Sequence, residues 1–199
     1  MKQIFMSIHS QPLFNILNGD KIRELRKSVP SGFVGWVYLY CTKAKPTLHR
    51  LMVECGNEWY LGNDLPYGWV VNKNSNFNGK VVARFWFDDY DVFVNWDLYS
   101  YYADIDYGKI HKQTFNKLEK DACLTIMEIY NYSKGKDLYA WYIKNLQIFD
   151  KPMELSEFYD CNKEMTLEDI LVYELITNDT KSYRLSKAPQ SWQYVWVKE

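Results

Sequence analysis

Residues 4–27, IFMSIHSQPLFNILNGDKIRELRK, constrain the fold more than any other stretch. Ile4, Phe5, Met6 and Ile8 form a short apolar run that reads as a strand. Ser7 or Ser10 suits the cap of a following helix, and Pro12 suits its first turn. Leu13, Phe14, Ile16 and Leu17 recur at helical spacing. Asn18-Gly19-Asp20 stops that helix, because glycine tolerates the left-handed conformation of a helix end. From Lys21 to Lys27 the chain alternates, so Ile22, Glu24 and Arg26 face one way and Lys21, Arg23, Leu25 and Lys27 the other. An acid then sits beside a base on one strand face. The pair serves either as a brace for the turn or as one wall of a ligand pocket.

The rest of the chain reads as further strands and helices. Gly35–Thr42 is rich in strand formers and apolar on both faces, which predicts a central strand. Leu51–Cys55 reads as a short strand, with hairpin strands around Trp59-Tyr60 and Trp69-Val70-Val71. Lys80–Phe87 is another strand. The acids Asp88, Asp89 and Asp91 after it read as a solvated turn, since they lack the spacing of a calcium loop. Residues 90–102 read as aromatic and irregular. Short helical turns at 114–118 lead into a helix over 121–132. Leu138–Phe149 reads as one long strand, 166–176 as a helix with Thr166 as cap, and Gln193–Lys198 as a last strand.

Composition narrows the function classes. The 199 residues fit one domain, and 18% aromatic residues exceed what a core of this size needs. Part of that surplus is available for stacking flat groups such as bases. Net charge is −1, yet residues 1–50 hold eight Lys or Arg against two acids, while 51–110 hold four against nine. That asymmetry suits a short or single nucleotide better than a long duplex. Cys41, Cys55, Cys123 and Cys161 are widely spaced and only three histidines occur, which argues against a metal site and for free thiols. No cofactor is implied. No apolar run reaches membrane-spanning length and the N-terminus lacks signal-peptide character, so a cytoplasmic protein is expected. A phosphate-binding loop, a dinucleotide fingerprint, a nucleophile elbow and a zinc-protease motif are all absent.

Gly19, Lys21, Glu24, Leu25 and Arg26, placed after an N-terminal strand and helix, resemble the ASCH domain, a branch of the PUA-like superfamily. Val34–Thr42 with Lys43 and Pro46, Gly79–Phe85, Tyr139–Ile143 running on to Phe149 and Pro152, and Ala188-Pro189-Gln190-Ser191-Trp192 resemble its later blocks. The ending is similar to ASCH-like proteins of phages and prophages. The resemblance implies an α+β fold: a curved, partly closed mixed β-barrel of about five to seven strands with flanking helices. It implies a single domain with insertions near 47–79, 88–120 and 153–183. It also implies RNA or a modified nucleotide as ligand, bound in a cleft beside the first helix.

On that reading the nucleotide-binding residues are Ser7, Lys21, Glu24, Arg26, Lys43, Trp141, Gln190, Ser191 and Trp192. Glu24 or Gln190 would meet a base edge, Trp141 would stack on it, and the basic residues would meet phosphate. Two other classes stay open. Some ASCH proteins are amidohydrolases acting on acetylated cytidine through Lys, Thr and Glu. Here the Lys falls on Lys21, but the Thr position holds Glu24, a poor replacement for an attacking hydroxyl. A hydrolase or ribonuclease would thus be built on Lys21 and Glu24. The third class is a phage-encoded protein that binds a host protein, with its aromatic excess on an exposed patch.

Overall fold

The computed structural model describes residues 1–53, 56–63, 76–94, 108–161 and 165–198, with side chains for all of these but 51–53, 56–57 and 108–114. Cys55 and the expected strand at 69–71 lie outside the described residues. The class is mixed α+β, as expected, with six-, three- and two-stranded sheets and four described α-helices. Its backbone contacts gather into two compact units. One holds Met1–Phe14, Gly35–Phe85 and Leu146–Glu199; the other holds Asn15–Val34 and Trp86–Asn145.

The first unit is organised around β1 (Lys2–Ile8), which runs parallel to β3 (Gly35–Cys41) and antiparallel to β11 (Trp192–Val197). Residues 3–8 are buried on both faces, because the run has no polar alternation to turn outward. The full strand order is β10 (Phe158–Asp160), β11, β1, β3, β6 (Val81–Phe87) and β9 (Lys144–Met153). Helix α1 (Ser10–Leu17) follows β1, with Leu13, Ile16 and Leu17 buried at the spacing read from sequence. One face of the sheet packs Phe5, Tyr38, Tyr40, Phe158, Val195 and Val197 together, with the Phe5 and Phe158 rings edge to face at 4.9 Å. Pro152 falls in β9, an edge strand of the sheet, the position in a sheet where proline is tolerated. The strands β4 (Thr47–Val53) and β5 (Gly56–Gly62) pair with each other as a hairpin.

The second unit is a three-stranded sheet in the order β2 (Arg23–Arg26), β8 (Leu138–Tyr142) and β7 (Tyr90–Phe93). Its core is Leu25, Phe93, Phe115, Leu118, Ile129, Leu138 and Ala140. Two expectations change here. The helix expected over 121–132 is two helices, α2 (Gly108–Ala122) and α3 (Ile126–Ser133). Cys123 takes a left-handed φ of 51° that ends the first, and Thr125 caps the second through a reciprocal pair of bonds with Glu128. The long strand expected over 138–149 is β8 and β9, with Ile143 between them donating to the Ile22 carbonyl and Asn145 at a φ of 49°. Apolar periodicity runs straight through both breaks, so it could not show them. In the first unit, helix α4 (Leu167–Thr177) begins at the expected Thr166 cap, which Asp169 completes.

Cys41 is fully buried, and burial pushes its thiol up to about 12. The folded value lies above the unfolded value of 9.0, so the contribution to stability is present below pH 9 and is lost as pH rises toward 12. Alkylation mapped by peptide mass spectrometry at pH 8 should leave Cys41 unmodified in the native chain and label it on unfolding. Rapid native labelling of Cys41 would contradict its placement.

Candidate functional site

Three of the four residues of β2 carry charge, and all four are buried. The strand is covered on both faces, so its alternation separates two buried networks rather than a core face from a wet one. On one face Arg26 Nη2 lies 3.0 Å from Glu24 Oε1, and Lys21 Nζ lies 3.4 Å from Glu24 Oε2. The three side chains are 9%, 2% and 9% exposed for Arg26, Lys21 and Glu24 respectively. Lys21 also donates to the Ala122 carbonyl at 2.7 Å, a cation at the C-terminal end of α2 where the helix dipole favours it. On the other face Arg23 pairs with Asp91 and, at 3.1 Å, with Asp121. Arg23 also donates to the Tyr142 hydroxyl at 2.9 Å and stacks 4.4 Å from that ring. The Tyr142 hydroxyl donates to Asp91, also at 2.9 Å, and this bond with burial, the larger cause, raises its pKa.

The second network was not legible in the sequence, where Arg23 is only placed on the strand face opposite Glu24. Its partners lie far along the chain. The acids expected in a solvated turn also have assigned partners: Asp91 takes Arg23, Asp88 takes Lys144 at 2.6 Å, and Asp89 accepts from the Tyr90 amide.

The predicted nucleotide-binding residues separate between the units. Lys21, Glu24, Arg26 and Trp141 belong to the second, where Glu24 stands opposite Trp141 in the β2–β8 register. Trp141 is fully buried with its ring 4.6 Å from Phe87, so neither face is open to a base, and its expected stacking role gives way to core packing. Ser7, Lys43, Gln190, Ser191 and Trp192 belong to the first unit. There the Ser7 amide donates to the Ser191 carbonyl at 2.8 Å, and Trp192 pairs with Met6 across β1 and β11. Lys43 leaves β3 at the same end of the sheet, exposed, as is Gln190.

At the opposite end of that sheet lies a groove that sequence reading missed. Its volume is about 540 Å³, and Trp36, Tyr38, Arg84, Phe149, Met153 and Lys198 line it. The Arg84 guanidinium sits 4.2 Å from the Trp36 ring centre and 5.7 Å from that of Tyr38. Arg84 donates to the Tyr38 hydroxyl at 3.0 Å and to Gln147 Oε1 at 2.9 Å. Among the described residues its partners are all uncharged. The signal in the sequence was Arg84 itself, a cation inside the apolar strand VVARFWF.

No protein-family model matches the chain, and no curated protein does. Among solved structures it is similar to the crystal structure of an ASCH protein from Zymomonas mobilis. The identity is 13% and the TM-score 0.49, over 99% of this chain and 88% of that one. A point variant of that protein gives the same identity and score over 100% of this chain and 92% of that one. A likeness at this level leaves the ligand to be argued from the chain's own side chains.

Removing Glu24 would leave Lys21 and Arg26 buried without their shared counter-charge, a loss of about 3–5 kcal/mol by comparison with other broken buried pairs. Glu24→Ala should therefore lower the melting temperature sharply, with Glu24→Gln falling between it and the parent. Thermal unfolding followed by circular dichroism checks this, and an unchanged midpoint for Glu24→Ala would refute the bracing role.

Proposed function

We propose that this chain is a nucleotide- or RNA-binding module whose planar, anionic ligand enters the groove of the first unit. The observation that carries the reading is Arg84: a guanidinium stacked on Trp36 and Tyr38 with no described carboxylate to neutralise it. Such a group offers a flat face for a base and a charge for phosphate. Lys198, exposed at the groove, adds a second cation. The net charge of −1 and the small number of cations favour a short single strand or a nucleotide over a duplex. Lys21, Glu24 and Arg26 then support the fold, because their charges already answer one another in a site almost closed to water.

The hydrolase reading has less support. A carboxylate occupies the position where the amidohydrolase pattern needs a hydroxyl, and it is engaged by two cations. Lys21 is committed to a main-chain carbonyl and to Glu24.

Stacking is worth about 1–3 kcal/mol per base, so losing one platform residue costs about 5- to 150-fold in affinity. Fluorescence anisotropy with a labelled single-stranded RNA of about ten nucleotides, long enough to cover one such site, tests the reading. Arg84→Ala should weaken binding at least about fivefold with little change in melting temperature, and Trp36→Ala should weaken it by a similar factor. Unaltered affinity in Arg84→Ala would overturn the groove as the binding site.

A further inference from the structure

The polar groups described at the groove of the first unit are donors. Arg84 has five N–H groups and no acceptor. Two are used, one by the Tyr38 hydroxyl at 3.0 Å and one by Gln147 Oε1 at 2.9 Å, which leaves three without a described partner. Gln147 is exposed and lies two residues before Phe149 on the same face of β9. An arginine Nε–H can only donate, so the Gln147 amide must turn its oxygen to it, and its NH2 group is left without a described acceptor. The Tyr38 hydroxyl accepts from Arg84 in the same way, and its own proton has no described acceptor. The Trp36 indole and the Lys198 ammonium also line the groove and have only N–H groups to give. The two oxygens that could accept, on Tyr38 and Gln147, both face the guanidinium. An N–H group brought to either would meet a positive charge.

We infer that the groove selects bases that present ring carbonyl oxygens, namely guanine, hypoxanthine and uracil, over the amino bases adenine and cytosine. Trp36, Tyr38 and Phe149 supply ring surface in the same groove, so a base stacked there brings its edge to the donors. Guanine offers two acceptors on one edge, O6 and N7, which a single guanidinium can take together. Uracil offers O4. Adenine and cytosine place an amino group at the corresponding position, where its N–H groups would be set against other N–H groups. A good two-pronged contact of this kind discriminates between bases by about 5- to 150-fold. Phosphate also supplies acceptors alone, but it is the same on every nucleotide and cannot create a difference between bases. The selection rests on the nucleotide reading of this groove and narrows it from a planar anion to one class of base.

Fluorescence anisotropy with labelled oligouridine and oligocytidine of about ten nucleotides each tests it with the phosphates held constant. The uridine strand should bind at least about fivefold more tightly. As competitors, GMP and IMP should displace it equally well, since they share O6 and N7, and AMP at least about fivefold less well. In Gln147→Glu the second carboxylate oxygen sets an acceptor beside Arg84, so the preference should shrink or invert at an unchanged melting temperature. Equal binding of the two strands that still depends on Arg84 overturns the base selection and leaves the nucleotide reading standing. So does AMP competing as well as GMP. A uridine preference that Gln147→Glu leaves intact refutes the donor rim as its source. Failure of both strands to bind overturns the base selection and the nucleotide reading together.

Discussion

Buried charge on β2 is the constraint around which the second unit is arranged. A four-residue strand with three charged side chains has no business in a core unless each charge finds an opposite within a few ångströms. Arg23 reaches Asp91 and Asp121, while Arg26 and Lys21 share Glu24. These partners come from the strand itself, from β7 and from the end of α2. The helix must therefore end where it does: Lys21 takes the Ala122 carbonyl, and the Ile22 amide takes that of Asp121. Leu25 then anchors the apolar cluster between the same helix and strands. The pairing of charges and the packing of apolar groups are one requirement here, since the same four-residue strand supplies both.

The first unit follows a different logic. Its central strand is apolar on both faces and needs neighbours on both edges, which β3 and β11 supply. Apolar packing saturates one sheet face around Phe5 and Phe158 but leaves the start of β3 less covered. Arg84 fills that margin by lying over Trp36 and Tyr38. A guanidinium in contact with rings keeps its charge while losing part of its water, the condition under which an arriving phosphate gains most.

Legibility tracked the range of the interactions. The strand–helix–strand opening, the Thr166 cap and the inward face of α1 depend on residues within a turn or two of each other, and each was readable. Ends decided by distant partners were not. The break after Ala122 and the break at Ile143 fall where the chain must meet β2, and the local pattern gave no sign of either. Trp141 illustrates the same limit at a single residue. A tryptophan on a strand face reads alike whether it meets a ligand or Phe87, and only burial distinguishes the two.

The amino-acid order alone determined the central place of the Val37–Cys41 run, the Thr166 cap and the adjacency of Glu24 to Arg26. These follow from backbone periodicity and short-range hydrogen bonding, which neighbouring residues specify. Tertiary structure decided which charges are neutralised and which are left with charge to offer. It closed Glu24 against two cations and left Arg84 among uncharged partners. Electrostatic compensation depends on distances through space between residues remote in the chain, and no local pattern encodes those distances.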